Sequence, residues 1–319
     1  MCLPVFRLLC LLALLLTASA RAAEPFFKKG DVIALVGGED MVVASEDGYL
    51  EMFLARALPD EHLRFRNLAW EGDTVFEQRR DLNFPTWEEQ LDKVGATVVI
   101  CQFGQVESLG GKDKLPEFIA AYEKLLERFS DGGKRHIAIV EPMAFDPRNH
   151  LLGNVAATRN ANIRDYAAAL SELAARQKAT LVRFTQSAAE PTNQVATRDG
   201  VHLTDEGQDD LAWQIGTILT AEMKDLKRVR AISHEPEKNS DLVKLLNLIR
   251  AKNLLWFNYW RPQNWAFLAG DRTNQPSSRD WRDPSIRWFP SEREEFIPLV
   301  EAKEKEIDAL ALKLAQPLK

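Results

Sequence analysis

Cysteine is scarce in this chain of 319 residues: there are three, and two of them, Cys2 and Cys10, fall within the first ten positions. Only Cys101 lies beyond them, so an internal disulfide framework is excluded. Basic tracts are also absent. Lysine and arginine total 41 against 47 aspartates and glutamates, for a net charge of −6. The electrostatic footprint of a nucleic-acid binder is therefore missing, and nucleic acid is not an expected partner. Histidine is rare, and the five present show no paired spacing such as His-Glu-x-x-His, which disfavours a zinc centre. After residue 22 no apolar run approaches the ~20 residues that a membrane-crossing helix needs. What is present is an ordinary globular balance, 45% hydrophobic and 28% charged.

The first 22 residues, MCLPVFRLLCLLALLLTASARA, read as an export signal. Arg7 supplies a positive start, Leu8–Leu16 an apolar stretch, and Ala20-Arg21-Ala22 a small-x-small cleavage site. The expected mature chain is residues 23–319, exported to the periplasm or beyond, with no membrane association after cleavage.

From residue 23 to about 228, short apolar runs alternate with amphipathic stretches. Asp31–Gly37, Leu63–Trp70, Ala96–Phe103, His136–Glu141 and Thr180–Phe184 read as strands. Tyr49–Leu58, Leu115–Phe129, Asn160–Ala179 and a stretch from Thr204 to about Leu226 read as helices. Such alternation predicts a parallel sheet with helices on both faces. In open sheets of this class the site lies beyond the carboxyl ends of the strands. Four loops are thereby singled out, after Gly37, Trp70, Phe103 and Phe184. Residues 229–319 differ in texture. They hold two helix-prone stretches, and five of the eight tryptophans fall between 256 and 288. A tail of this size buries little core alone and is expected to pack on the α/β body.

Asp199-Gly200-Val201-His202 follows the fifth strand and precedes a helix. At this spacing a carboxylate can hold one imidazole nitrogen while the other faces a cleft as a general base. The same spacing also suits a local hydrogen bond or helix cap. Taken with the other loops, however, it resembles the last block of the SGNH (GDSL-type) hydrolases. Asn67-Leu68-Ala69-Trp70-Glu71-Gly72-Asp73-Thr74 resembles their second block, and Phe103-Gly104-Gln105-Val106-Glu107-Ser108 their third. Val36-Gly37-Gly38-Glu39-Asp40 stands where their Gly-Asp-Ser block would be. The whole is similar to a divergent exported bacterial branch with a degenerate nucleophile block. The resemblance implies a three-layer α/β/α sandwich with a flavodoxin-like, five-stranded parallel sheet and a C-terminal helical extension. It implies His202 as base, Asp199 as its orienter, Gly72 as an oxyanion amide donor, and Glu39 in the nucleophile position. Gln105, Glu107, Asp40 and Asp73 are the expected substrate-side neighbours. The implied substrate is a carboxylic ester, a small molecule or an acylated glycan. No cofactor or metal is implied.

Two positions depart from the family pattern. Glu39 replaces the serine, and Val106 replaces an oxyanion-binding asparagine. One lost oxyanion donor costs roughly 2.7–4 kcal/mol of transition-state stabilisation. Three readings stay open: Glu39 and His202 activate a water; another hydroxyl (Ser45, Thr74 or Ser108) attacks; or the fold binds a glycan or cell-envelope ligand without turnover.

Overall fold

The computed structural model describes residues 25–147, 152, 155–184, 197–221 and 240–315. The expected signal segment and the expected boundary near 228 lie outside the described residues. Five strands form the sheet: β1 (Val32–Gly37), β2 (Arg64–Asn67), β3 (Val98–Gln102), β4 (His136–Val140) and β5 (Thr180–Val182). Their order is β2-β1-β3-β4-β5, and every pairing is parallel. This is the flavodoxin-like order, with the switch in winding between β1 and β3.

Alternation along the strands divides the core into two faces. Ile33 and Leu35 of β1, with Val98 and Ile100 of β3, enter one cluster; Ala34, Val36, Val99 and Cys101 enter the other. Helices α1 (Glu39–Asp47), α2 (Tyr49–Ala57) and, after Thr204 as N-cap, α6 (Asp205–Leu219) cover the first face. Helices α3 (Trp87–Val94), α4 (Leu115–Ser130) and α5 (Val155–Gln177) cover the second.

The strands fall where the apolar runs placed them. The helices differ more. α1 is separate from α2 because Gly48, at φ 75°, ends it in the left-handed region and starts the next. α3 is an added helix, started by a capping box in which Thr86 and Glu89 each accept the other's backbone N–H. α5 begins five residues before the expected Asn160.

The tail forms α7 (Ser240–Trp260), α8 (Trp265–Leu268), α9 (Trp288–Glu294) and α10 (Phe296–Ala315). The sequence reads Glu235–Asn253 as the first helix-prone stretch of the tail; α7 continues past Asn253 to Trp260 and packs along the β2 edge. Its Leu245 and Ile249 join the first core face, while Trp256, Tyr259 and Trp260 join the second. An exposed strand edge is a template for wrong pairing, and this packing covers it. Polar bonds fix the seam. Lys252, fully buried, holds Glu51 at 2.8 Å; Arg66 meets Glu304 at 2.6 Å, and Arg64 meets Asp308 at 2.7 Å. Trp256 donates its indole N–H to the Asn67 carbonyl at 2.9 Å. The extension is thus built into the body, as its small size requires.

Candidate active site

The carboxyl ends of the strands carry a cleft of about 270 Å³. It is lined by Glu39, Asp40, Gly72, Asp73, Gln105, Glu107 and His202, together with Gln102, Val106, Pro142 and Val201. Seven of the eight expected site residues therefore meet at one hollow, and the eighth, Asp199, stands behind His202.

The imidazole is held from the rear. Its Nδ1 lies 2.6 Å from Asp199 Oδ2, while Asp199 Oδ1 accepts the backbone N–H groups of Val201 and His202 at 3.0 and 2.8 Å. Three bonds on one carboxylate set both its position and the Nδ1-H tautomer of the ring. The bond to His202 holds Asp199 down at about 2. Reciprocally, that bond raises the His202 pKa above its ordinary value; burial is the next largest influence and opposes it, as does the Arg198 charge, while the charges of Asp199 and Glu39 add to the rise. Nε2 is left facing Glu39, with 3.7 Å to Oε1.

Glu39 sits where β1 turns into α1. Gly37 has φ 148°, and a Cβ there would come within 2.5 Å of the Gln102 carbonyl. Only glycine lets β1 and β3 approach so closely at the floor of the cleft. Glu39 and Asp40 then occupy the first turn of α1, where the helix dipole favours negative charge. Asp40 is half-buried, and burial, reinforced by the Glu39 charge, pushes its carboxyl up to about 6.

The loop carrying Gly72 is clamped on both flanks. Gly72 itself adopts φ 79° and lines the cleft. Asp73 is gripped by Arg80 at 2.7 and 2.6 Å, and Glu71 by Arg261 of the extension at 2.6 Å. Both guanidinium groups also lie over the Trp70 ring, at 4.5 Å for Arg80 and 4.0 Å for Arg261. Glu107 accepts the backbone N–H groups of Gly104 and Val75, each at 2.8 Å, and so ties the third loop to the second. Gln105 donates its side-chain amide to the Met143 carbonyl at 3.1 Å. Asp73, Glu107 and Gln105 thus form cleft wall while their polar ends are engaged by the scaffold.

Val106 is 54% exposed and supplies no donor. Of the alternative hydroxyls, Ser108 is fully buried and donates to the Gln105 carbonyl, and Thr74 donates to the Glu77 carbonyl. Ser45 lines a separate cavity. None of the three lines the cleft with His202. Cys101 is buried beneath the Tyr122 hydroxyl, and burial pushes its thiol up to about 12, far from a reactive thiolate. The clamping residue Arg80 carries no sequence signal. Arg261 does, as a cation next to the tryptophan cluster, but it reaches the loop behind the cleft and not the cleft itself.

A family model described as GDSL-like lipase/acylhydrolase matches residues 30–209. That span exceeds half of the chain and contains every loop described above: the chain belongs to the GDSL-like lipase/acylhydrolase family. No curated protein sequence matched. Among solved structures, a gut microbial diltiazem-metabolizing enzyme is similar with a TM-score of 0.57 at 13% identity, over 92% of this chain and 96% of that one. Its likeness extends through the C-terminal extension. An acetylxylan esterase from Geobacillus stearothermophilus matches with a TM-score of 0.45 at 17% identity, over 60% of this chain and 95% of that one. An alpha/beta hydrolase enzyme from a metagenome of Lake Arreo, Spain, gives 0.45 at 16%, over 63% and 100%. At such identities the likeness is one of fold. Among the described residues no helix is long and apolar enough to cross a membrane.

Proposed function

We propose that the protein is an exported hydrolase of carboxylic esters in which Glu39 and His202 activate a water, with acylated glycans as the substrate class. The observation that carries this reading is the imidazole of His202, fixed by Asp199 on one nitrogen and facing Glu39 across 3.7 Å on the other. A water seated between them donates one hydrogen to Nε2 and the other to Glu39. Its oxygen lone pair is then free for the ester carbon. As the C–O bond forms, the water proton passes to Nε2, and the carbonyl oxygen takes up negative charge beside the Gly72 amide. When the tetrahedral species collapses, Nε2 returns the proton to the departing alkoxide, giving an acid and an alcohol. Attack by Glu39 itself would give an anhydride in place of a stable acyl-enzyme, so water is the simpler nucleophile. The two-residue activation follows from general-base chemistry, in which one intervening water is within reach.

A second reading is favoured by a specific observation: the oxyanion side lacks a donor at Val106, and the Glu39 charge promotes imidazolium over the base form. On that reading the cleft binds a glycan or cell-envelope ligand without turnover. Hydrolysis of 4-nitrophenyl acetate by the wild type and by His202→Ala separates the two. The first predicts loss of turnover in the variant; equal rates would remove His202 from catalysis and leave the binding reading. The export signal is tested by the N-terminal sequence of the mature protein, expected to start at Ala23.

A further inference from the structure

The cleft that holds His202 is lined by the acidic side chains of Glu39, Asp40, Asp73 and Glu107 and, among the described residues, by no lysine or arginine. Two of these acids are already engaged. Asp73 is gripped by Arg80, and Glu107 accepts two backbone N–H groups. Glu39 faces Nε2 of His202 across 3.7 Å, where the proposed reaction seats its water. That leaves Asp40. It is half-buried, and among the described residues its carboxylate has no hydrogen bond or ion pair; the charges acting on it are the like charge of Glu39 and that of His202. The guanidinium groups of the region are directed elsewhere: Arg80 to Asp73, Arg261 to Glu71, and Arg198 against His202. The first turn of α1 favours negative charge, but its dipole supplies only about half a unit of positive charge against two adjacent carboxylates. A carboxylate withdrawn from water without a partner is costly, and a cation brought by the ligand would relieve it.

The remaining wall says which kind of cation. A hard metal ion needs about six oxygen ligands. Among the described residues no group of three His, Cys, Asp or Glu could hold a metal ion. Beside the acids stand Val106, Pro142 and Val201, with Val106 54% exposed. Apolar surface next to an uncompensated carboxylate complements an alkylammonium group: its carbon substituents lie on the apolar wall while its charge meets the acid. An anionic ester would meet like charge at Glu39 and Asp40, and a neutral ester would leave Asp40 uncompensated. We infer that Asp40 is a specificity-determining residue that directs the cleft towards esters whose acyl or alcohol part carries an ammonium group. Among acylated glycans this selects those with a free amino group on the sugar. The ester part of the inference rests on the hydrolase reading above; the preference for a cation rests on the lining alone.

The test compares choline with 3,3-dimethylbutan-1-ol, which has the same shape with carbon in place of the charged nitrogen. The full mature chain is titrated calorimetrically at low salt and pH 8, where Asp40, its carboxyl pushed up to about 6, is ionised. Choline should bind at least about tenfold more tightly than the alcohol, since opposite charges ~6 Å apart near a protein surface interact by at least that factor. The acetate esters of the two alcohols should follow the same order in kcat/KM. Asp40→Asn keeps the shape, removes the charge and should bring both ratios towards one, while Asp40→Glu should retain the preference. Should Asp40→Asn fail to fold, salt supplies the second measurement: at ~1 M, where the Debye length is ~3 Å, the wild type should lose most of its preference for choline. A chain that hydrolyses neither ester yet binds choline in this manner would end the hydrolase reading and support this one. The inference is overturned by any of four results: no saturable binding of choline, choline bound no more tightly than the alcohol, a preference unchanged in Asp40→Asn or at high salt, or faster hydrolysis of the anionic ester monoethyl succinate than of acetylcholine.

Discussion

The two walls of the cleft have been treated differently. The proton-handling wall keeps the Asp-x-x-His arrangement, with Asp199 making three hydrogen bonds around a ring whose far nitrogen faces the hollow. The opposite wall keeps its scaffold but not its reactive groups. Gly72 stays at the lip, Glu107 still ties two loops together, and Arg80 and Arg261 hold the flanks, yet Val106 and Glu39 stand at the asparagine and serine positions. These contacts hold the shape of the cleft, because a buried polar group is costly to leave half-made. The contrast is between a histidine held by its carboxylate and a wall whose shape is kept while the residues at positions 39 and 106 differ from the family pattern.

The contrast can be broken most severely at the preserved wall. His202→Ala should lower kcat for 4-nitrophenyl acetate by ~10²–10⁴-fold, the usual contribution of a positioned general base. KM should change little, because the imidazole acts on the water. A rate unchanged within a factor of two would show that the preserved wall does no proton transfer.

The altered wall answers to a gain. Glu39→Ser with Val106→Asn restores a hydroxyl beside His202 and a donor opposite it. One oxyanion donor is worth roughly 2.7–4 kcal/mol, so kcat should rise by ~10²–10³-fold, with a pre-steady-state burst marking an acyl-enzyme. A rate that falls instead would show that Glu39 is itself an active participant, and the altered wall would then be specialised.

The clamp lies between these extremes. Arg261→Ala frees Glu71 and uncovers one face of Trp70, loosening the loop that holds Gly72. A cation–π contact and an ion pair with a half-exposed carboxylate are worth about 0.5–1 kcal/mol each, so kcat should fall by about tenfold with KM nearly constant. A fall in thermal stability with kcat intact would assign Arg261 to the seam alone.

Much of this was legible in the sequence because it depends on local pattern. β1, β3 and β4 announce themselves as apolar runs with glycine or proline at an end, and Asp199 and His202 are close enough in the chain to be read as a pair. Glu39 and Gly72 are placed through the resemblance of their loops to the family's blocks, and the parallel sheet, which brings all strand ends to one side, is what lets those loops meet. The rest depends on distance. Arg261 reaches Glu71 across 190 residues, and the engagement of Asp73, Glu107 and Gln105 by the scaffold follows from partners that no spacing rule names. α3 was missed for a different reason. Its signature, Thr86 with Glu89, sits among polar residues where no long apolar stripe draws attention.

The smallest effect is the most specific to the comparison. His202 must be neutral to accept a proton, and its pKa is raised first by the bond to Asp199 and then, in part, by the charge of Glu39. In the wild type kcat/KM should therefore rise with pH through a limb displaced above the ordinary histidine value of ~6.5. Removing the negative charge with Glu39→Gln takes away one of the forces holding the proton on. The limb should then move towards lower pH, by less than a unit, since the larger contribution from Asp199 remains. The sign is the informative part. A pair of walls that communicate through the 3.7 Å gap must shift this way. A limb that stays in place would show that the charge at position 39 does not act on His202, and that the altered wall is electrostatically silent towards the preserved one.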